Sequence, residues 1–502
     1  MGAFRTLPAA IAGVLEEHGR VVVVGLGISG IDAALFLRRL GCAVTCVERS
    51  SEAQWRERSK FRERLAELRA AGIELCFDAD GERSAPALEG AGLVVLSPGV
   101  SLESAIAGAI QRRGLPVVSE FELGIELSRT PALVVTGSNG KSTTVSLLQA
   151  LFEADGRLSR LCGNIGTPVV STLTPAQVRG EEPPPYEALV VEASSYQLET
   201  CMVMKPRTGV FLNISDNHLE RHGTIERYFA AKARLFAHQT GDDTAILNFD
   251  DPRIRALAGR IRSRVLALGR DEAALRGVDS AHIAFDPGRG LDAITIRLAG
   301  GVERYELAGT RLLGLHNRYN IAAAVLAARV SGISPAAISR GIVGFAPLEH
   351  RLEFVSEIAA PCVINDSKST TVAATVAALH SVHEILPGRR VTLMIGGLAK
   401  AGSWDPLMKA LQSRRADMAP VVCFGQDANL LASHCRSAGV PGVTAPSLRA
   451  GVEVALSEIS PDGVLLLSPG CASFDEFGDF EERGRVFKEL ARAVTAPRSA
   501  EG

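Results

Sequence analysis

The chain has 502 residues, 46% of them hydrophobic. That is enough for several buried cores and, at about 100–200 residues per domain, for two to four domains. Its 54 basic and 56 acidic residues leave a formal net charge of −2, and aromatics are 5%. This excludes a generally basic nucleic-acid coat, an acidic solvating tail and a stacking platform for single-stranded nucleic acid. The 9 cysteines are sparse, odd in number and without paired metal spacing beyond Cys42 and Cys46, so free thiols in a reducing cytosol are expected. The first residues lack a long apolar core, so neither a signal peptide nor a transmembrane span is expected.

In chain order, the β-branched run Val21–Val24 leads into Gly25-Leu-Gly-Ile-Ser-Gly30, a helical stretch Ile31–Leu40, and a second strand Ala43–Val47 ending at Glu48. This is a β-α-β unit. An arginine- and glutamate-rich helix over Gln54–Ala71, a strand Leu93–Ser97, a strand at Val117–Val118 and a helix from Ser119 complete a first region ending near Arg129. A second region opens with the strand Ala132–Thr136 and a helix Lys141–Glu153. It continues through a proline-rich surface loop at Glu181–Tyr186, strands Ala188–Glu192 and Gly209–Asn213, and a helix Ile225–His238. Residues 264–310 read as β-rich, with Ala293–Arg297 paired to Val302–Leu307, and His316–Arg329 is an alanine-rich helix. From Leu348 on, strands Cys362–Asn365, Val391–Ile395, Pro420–Phe424 and Val464–Ser468 alternate with helices. Such alternation predicts mostly parallel sheets.

Two glycine loops carry the first chemical signal. Thr136-Gly-Ser-Asn-Gly-Lys-Ser-Thr143 joins a strand to a helix. Gly137, Ser138, Asn139 and Gly140 can turn backbone N–H groups around phosphate oxygens, and the helix start adds roughly half a positive charge. Lys141 supplies a full cation, the Ser142 hydroxyl can ligate Mg²⁺, and Thr143 lies beside it. The spacing is not that of the standard phosphate loop, because Val135 stands five before Gly140. The earlier Gly25-x-Gly-x-x-Gly30, with Glu48 past the next strand, fits a dinucleotide fingerprint but does not say which anion it holds. Glu192, at a strand's carboxyl end, stands where a Mg²⁺ ligand belongs in an α/β sheet. His218 and Lys232 alone would pass for a structural histidine and a surface lysine.

The ordered set Thr136–Thr143, Gly163–Gly166, Glu192–Glu199, Asn217-His218, Leu315-His-Asn317 with Asn320, His350-Arg351, Asn365-Asp-Ser-Lys368 and Ser468–Ser473 resembles the Mur ligases, from about Val21 to Phe487. The resemblance implies an α/β chain of three domains: a Rossmann-like UDP-binding domain over 1–129, a central ATP-binding phosphate-loop domain with a mixed sheet over 130–347, and a Rossmann-like amino-acid-binding domain over 348–502. It implies ATP-dependent addition of D-glutamate to UDP-N-acetylmuramoyl-L-alanine through an acyl phosphate. The setting would be peptidoglycan precursor synthesis in the cytoplasm, by a monomer that engages no nucleic acid and inserts in no membrane.

By the same match, Lys141, Glu192, His218 and Lys232 are the catalytic set. Ser142, Glu192, His218 and a carbamylated Lys232 would serve two Mg²⁺ ions. Asn317, Asn320, Arg351 and Asp366 would join the loop in binding ATP. Ser29, Glu48 and Arg49 would stand near the uridine nucleotide, and Asn164, Ser194 and Gln197 near the reacting carboxylate. Lys368, Thr370, Lys400, Ser473 and Phe480 would hold glutamate, whose carboxylates suit a cation and hydroxyls.

The chain departs from the family pattern at Asn217 and Glu220, in Gly396–Gly402, which lacks a Lys-Gly pair, and at Thr371. An L-glutamate-adding or other Mur-type ligase is therefore one alternative. A nicotinamide oxidoreductase built on Gly25–Gly30 and a non-catalytic nucleotide-gated binding module are others, although the first leaves the Lys141 loop without a purpose.

Overall fold

The computed structural model describes residues 7–17, 19–57, 62–78, 84, 86–215, 219–286, 289–312, 314–355, 361–400 and 402–495. The chain divides into two compact units. One comprises Met1–Asp286, Gly290–Ala308 and Tyr319–Gly344; the other comprises Pro287–Arg289, Gly309–Arg318 and Phe345–Gly502.

The first unit holds two sheets. The first is built from β1 (Arg20–Val24), β2 (Ala43–Val47), β3 (Glu74–Cys76), β4 (Leu93–Leu96) and β5 (Val117–Ser119), in the order β3-β2-β1-β4-β5 and parallel throughout. Val21 and Val23 pack into one buried cluster with Leu93 and Val95, while Val22 and Val24 pack into another with Val94 and Leu96. Successive strand side chains point to opposite faces, so an unbroken valine run is what a sheet covered on both sides requires. Each such burial is worth about 1.5–3 kcal/mol.

The second sheet contains β6 (Ala132–Thr136), β7 (Ser159–Gly163), β8 (Ala188–Glu192), β9 (Thr208–Phe211), β10 (Thr244–Asn248), β11 (Arg264–Gly269), β12 (Ser280–Asp286), β13 (Leu291–Leu298) and β14 (Gly301–Glu306). Their order is β14-β13-β12-β11-β10-β9-β6-β8-β7, parallel from β12 to β7 and antiparallel from β12 to β14. The mixed sheet and the Ala293–Arg297 hairpin pairing are both as read from the sequence. The chain leaves β6 for one side and returns to its other side at β9. That reversal is where open α/β sheets bind ligands, beyond the strands' carboxyl ends.

The second unit's sheet runs β15 (Glu353–Phe354), β16 (Cys362–Asn365), β20 (Val464–Gly470), β17 (Val391–Gly396), β18 (Val421–Phe424) and β19 (Gly442–Ala445), parallel apart from β15. Its two faces likewise carry separate buried clusters.

Two expected elements differ. The helix expected over Gln54–Ala71 comprises Glu52–Glu57 and Arg62–Ala70, with 58–61 outside the described residues. The helix expected to reach His238 stops at Ala233 and tightens into a 3₁₀ turn, Arg234–Phe236, which buries both Leu235 and Phe236. Among the described residues, no helix is long and apolar enough to cross a membrane. All 9 cysteines are free thiols.

Candidate active site

The loop after β6 is a close-fitting turn. Gly140 caps the helix Lys141–Ala154 with φ +83°, and a Cβ on it would stand 2.2 Å from Asn320 Oδ1. Only glycine meets both conditions. Asn213, just past β9, ties the loop down. Its Oδ1 accepts from Asn139 N–H (2.9 Å) and its Nδ2 donates to Asn139 C=O (3.1 Å), while Ser138 N–H donates to its carbonyl. Ser138 Oγ donates to Tyr228 Oη at 3.3 Å. Ser142 and Thr143 are buried in the helix's first turn. Lys141 folds back so that Nζ donates to the carbonyls of Gly137 (2.8 Å) and Ser138 (2.9 Å).

A second lysine meets the same loop. Lys232, on the helix Ile225–Ala233, is 1% exposed; its Nζ donates to Gly137 C=O at 2.9 Å and lies 4.7 Å from the centre of the Tyr228 ring. Burial and the neighbouring Lys141 ammonium hold the Lys232 amine well below the usual lysine range, against the opposing pull of Glu192. Deprotonation relieves both penalties, since a desolvated cation beside another cation is doubly disfavoured.

Glu192 closes β8 and is 3% exposed. Asn164, itself exposed, donates Nδ2–H to Glu192 Oε1 at 2.7 Å, and the Asn164 N–H donates to the Glu192 carbonyl. Glu192 Oε2 is buried and has no hydrogen-bond partner. A carboxylate fixed on one oxygen and bare on the other is suited to a cation, because an unpaired buried anion is costly. Mg²⁺ prefers one or two carboxylates and keeps its other positions for water and phosphate. Among the described residues no group of three or more His, Cys, Asp or Glu could hold a metal by itself. His218 and Asn217 lie outside the described residues.

Ser194 and Gln197 form a capping box on the helix Ser195–Glu199: Ser194 Oγ accepts from Gln197 N–H and Gln197 Oε1 from Ser194 N–H. They sit directly after β8, so the box fixes the turn that follows Glu192. Next to it, the buried His222 Nε2 and Ser195 Oγ are 3.0 Å apart.

In the first sheet, Gly30 lets its helix approach the strand ends: a Cβ there would lie 2.0 Å from the Gly25 carbonyl. Ser29 is half-buried in that helix's first turn. Glu48 is buried and acts within the protein, Oε2 accepting from Leu26 N–H (2.9 Å) and Oε1 from Ser50 N–H (3.0 Å). It therefore shapes the loop directly, with Arg49 exposed beside it. Arg221 bridges the two sheets' loops by donating to Val100 C=O (3.1 Å) and Glu199 Oε2 (3.0 Å).

In the second unit, Asp366, Lys368 and Thr370 follow the carboxyl end of β16, Lys400 that of β17 and Ser473 that of β20, while Arg351 precedes β15 and Phe480 opens the last helix. Asp366 is buried, accepting from Leu352 N–H and Ser468 Oγ–H, and burial pushes its carboxyl up to about 6. Lys368 Nζ lies 4.8 Å from the Phe480 ring centre. Ser473 is buried, Thr370 and Arg351 half-buried, and Lys400 exposed. Asn317 is buried in this unit and Asn320 in the first.

Sequence reasoning missed four groups. Asn213 stands at the end of an expected strand and Arg221 in a stretch between expected elements. Glu122, expected only as part of a helix, is fully buried, with Oε1 accepting from the N–H groups of Met202, Val203 and Met204. Arg483 is likewise fully buried. No pattern in charged helical stretches distinguishes a buried ionic side chain from a solvated one.

Three families match. The Mur ligase middle domain covers residues 135–328, the Mur ligase glutamate ligase domain covers 350–471, and the pyridine nucleotide-disulphide oxidoreductase family covers 20–90. The last spans little more than the opening strands of the parallel first sheet. The chain is 38% identical to the UDP-N-acetylmuramoylalanine–D-glutamate ligase of Acidobacterium capsulatum, over 95% of this chain and 97% of that one. It is 35% identical to the ligase of the same name from Pelotomaculum thermopropionicum, over 95% and 98%. In fold it is similar to a pseudomurein peptide ligase type C from Methanothermus fervidus, with TM-score 0.56 and 16% identity over 95% and 100% of the two chains. With its phosphate loop, Glu192 and Lys232 gathered at one reversal of the central sheet, the chain belongs to the Mur ligase family.

Proposed function

We propose that the protein adds D-glutamate to UDP-N-acetylmuramoyl-L-alanine at the expense of ATP, in peptidoglycan precursor synthesis. The observation that carries this is the grouping of Lys141, Lys232 and Glu192 around the Gly137 turn. In the reaction the alanine carboxylate attacks the γ-phosphorus of ATP, the bond to the leaving oxygen breaks, and ADP departs. The glutamate amine then attacks the acyl-phosphate carbonyl, loses a proton, and expels phosphate. A carboxylate and a triphosphate repel, so this step requires cations fixed in place beforehand.

Lys141 is one such cation, once it exchanges the loop carbonyls for phosphate oxygens. Two Mg²⁺ ions would be held by Ser142, Glu192, His218 and Lys232, and would neutralise the phosphate and carboxylate charge. For that role Lys232 is an anion. Its neutral amine adds to carbon dioxide, forming a C–N bond and releasing a proton, and the carbamate replaces an unfavourable buried ammonium. Asn164 holds Glu192 in position and, with Ser194 and Gln197, borders the reacting acid. The loop with Ser29, Glu48 and Arg49 takes the uridine diphosphate. Asn317, Asn320, Arg351 and Asp366 serve ATP; Lys368, Thr370, Lys400, Ser473 and Phe480 serve glutamate. The working form is a cytoplasmic monomer with domains over 1–129, 130–347 and 348–502.

The test is phosphate release with UDP-N-acetylmuramoyl-L-alanine, ATP, Mg²⁺ and either D- or L-glutamate. Release with the D-isomer alone supports the reading. Release with L-glutamate alone, or none with either, contradicts it.

A further inference from the structure

Arg483 sits on the helix Phe480–Thr495 and is 0% exposed. Its guanidinium makes four hydrogen bonds, all to uncharged oxygens: Nε to Ser367 Oγ (3.0 Å), Nη2 to Ser367 C=O (2.8 Å), and Nη1 to Cys471 C=O (3.2 Å) and Gly396 C=O (3.4 Å). The nearby carboxylates are committed elsewhere: Asp475 accepts from Gln426 N–H and Glu476 from Leu448 N–H. A buried guanidinium held by uncharged oxygens alone, three carbonyls and a hydroxyl, is expensive, so it marks a place where geometry matters more than stability.

Those three partners lie at or just past the carboxyl ends of three different strands. Ser367 precedes Lys368 and Thr370; Gly396 opens the loop that leads to Lys400; Cys471 is two residues before Ser473. The arginine's own helix begins at Phe480, whose carbonyl accepts from Ser367 Oγ–H at 2.8 Å. One side chain thus joins every segment carrying a residue assigned to the amino-acid pocket. The loop after β17 is fitted to it as well. Gly397 has φ +115°, and a Cβ on it would lie 3.1 Å from Arg483 Nη1 and 2.2 Å from the Ala472 carbonyl.

We propose that Arg483 is the positioning residue of the glutamate pocket, its planar fork setting the mutual placement of the Lys368, Lys400 and Ser473 loops without itself touching the reacting atoms. This rests on the assignment of that pocket above. A fork with five donors in one plane can hold three loops in register, whereas an ammonium on a flexible stem cannot.

The experiment compares Arg483→Lys, Arg483→Met and Lys368→Ala in the full-length enzyme, measuring KM for each substrate. Both Arg483 variants are expected to raise KM for D-glutamate by about 10–100-fold, since misplacement by about 1 Å is worth that much. KM for ATP and for the UDP-sugar should stay within about twofold. In a further variant, Arg483→Ala, millimolar guanidinium should restore part of the glutamate KM, whereas it should not do so in Lys368→Ala; rescue of neither or of both overturns the proposal. Should Arg483→Met not fold, Arg483→Lys, which keeps charge and volume, decides alone. An unchanged glutamate KM in Arg483→Lys while Lys368→Ala raises it overturns the proposal but leaves the pocket standing. An equal rise for all three substrates also overturns it. An unchanged glutamate KM in Lys368→Ala overturns the pocket assignment and the proposal with it.

Discussion

Lys141 and Lys232 donate to the same carbonyl, that of Gly137, at 2.8 and 2.9 Å. Two ammonium groups on one acceptor are stable only if one gives up its proton or one of them leaves. The loop therefore stores a demand for anions, and triphosphate and a carbamate both answer it.

Replacing Lys141 by Ala removes the cation that faces the phosphates. Turnover should fall by about 10²–10³-fold, as when other preorganised transition-state donors are lost. The thermal midpoint should change little, because Lys232 still donates to the Gly137 carbonyl and the repulsion between the two ammonium groups is relieved. Steady-state phosphate release and a melting curve check both statements.

Lys232 should react with carbon dioxide, because burial and Lys141 hold its amine well below the usual lysine range and so favour the neutral form. Intact mass measurement in bicarbonate should show a gain of one carbon dioxide that Lys232→Arg lacks. The sign of the pH dependence follows. Protonation competes with the carbamate, so occupancy and activity should decline together as pH falls and bicarbonate is removed. Activity indifferent to bicarbonate depletion would count against this role.

Asn164→Ala should free Glu192 Oε1 and weaken the cation site. Positioning groups around metal ligands are typically worth 10–100-fold, so the Mg²⁺ concentration for half-maximal rate should rise by about that factor. Asn164→Asp should be worse, because it sets a second carboxylate against the first.

Glu120 has a different consequence, for stability. It is 1% exposed, with Oε1 accepting from Val170 N–H and Oε2 unpartnered, and burial pushes its carboxyl up from the ordinary 4.5 to about 7. The folded state thus binds this proton more tightly than the unfolded chain. The contribution is fully present below pH 4.5 and lost as pH rises through about 7, a change on the order of 3 kcal/mol. Glu120→Gln should flatten the denaturation midpoint across that window. An unchanged pH profile would show that Glu120 is not the titrating group.

The strands that the sequence made legible are those buried on both faces: Ala188–Glu192 and Cys362–Asn365 run as expected to the residue. β3, β7, β15 and β19 escaped notice because they are sheet edges, where half-exposed residues need no apolar run. β10 is buried yet was missed, being a short run behind Gly-Asp-Asp. At the site, Lys141, Glu192 and Lys232 could be named from loop spacing, strand ends and family pattern. Glu122, Asn213, Arg221 and Arg483 could not, since what distinguishes them is which backbone groups they reach across the fold.

The most direct test of the central claim, that this cluster energises an acid, is isotopic. UDP-N-acetylmuramoyl-L-alanine labelled with ¹⁸O in its carboxylate should transfer one labelled oxygen per turnover to the inorganic phosphate released with D-glutamate. Phosphate emerging without label while the amide forms would mean that the carboxylate never attacked phosphorus, and the account would be wrong.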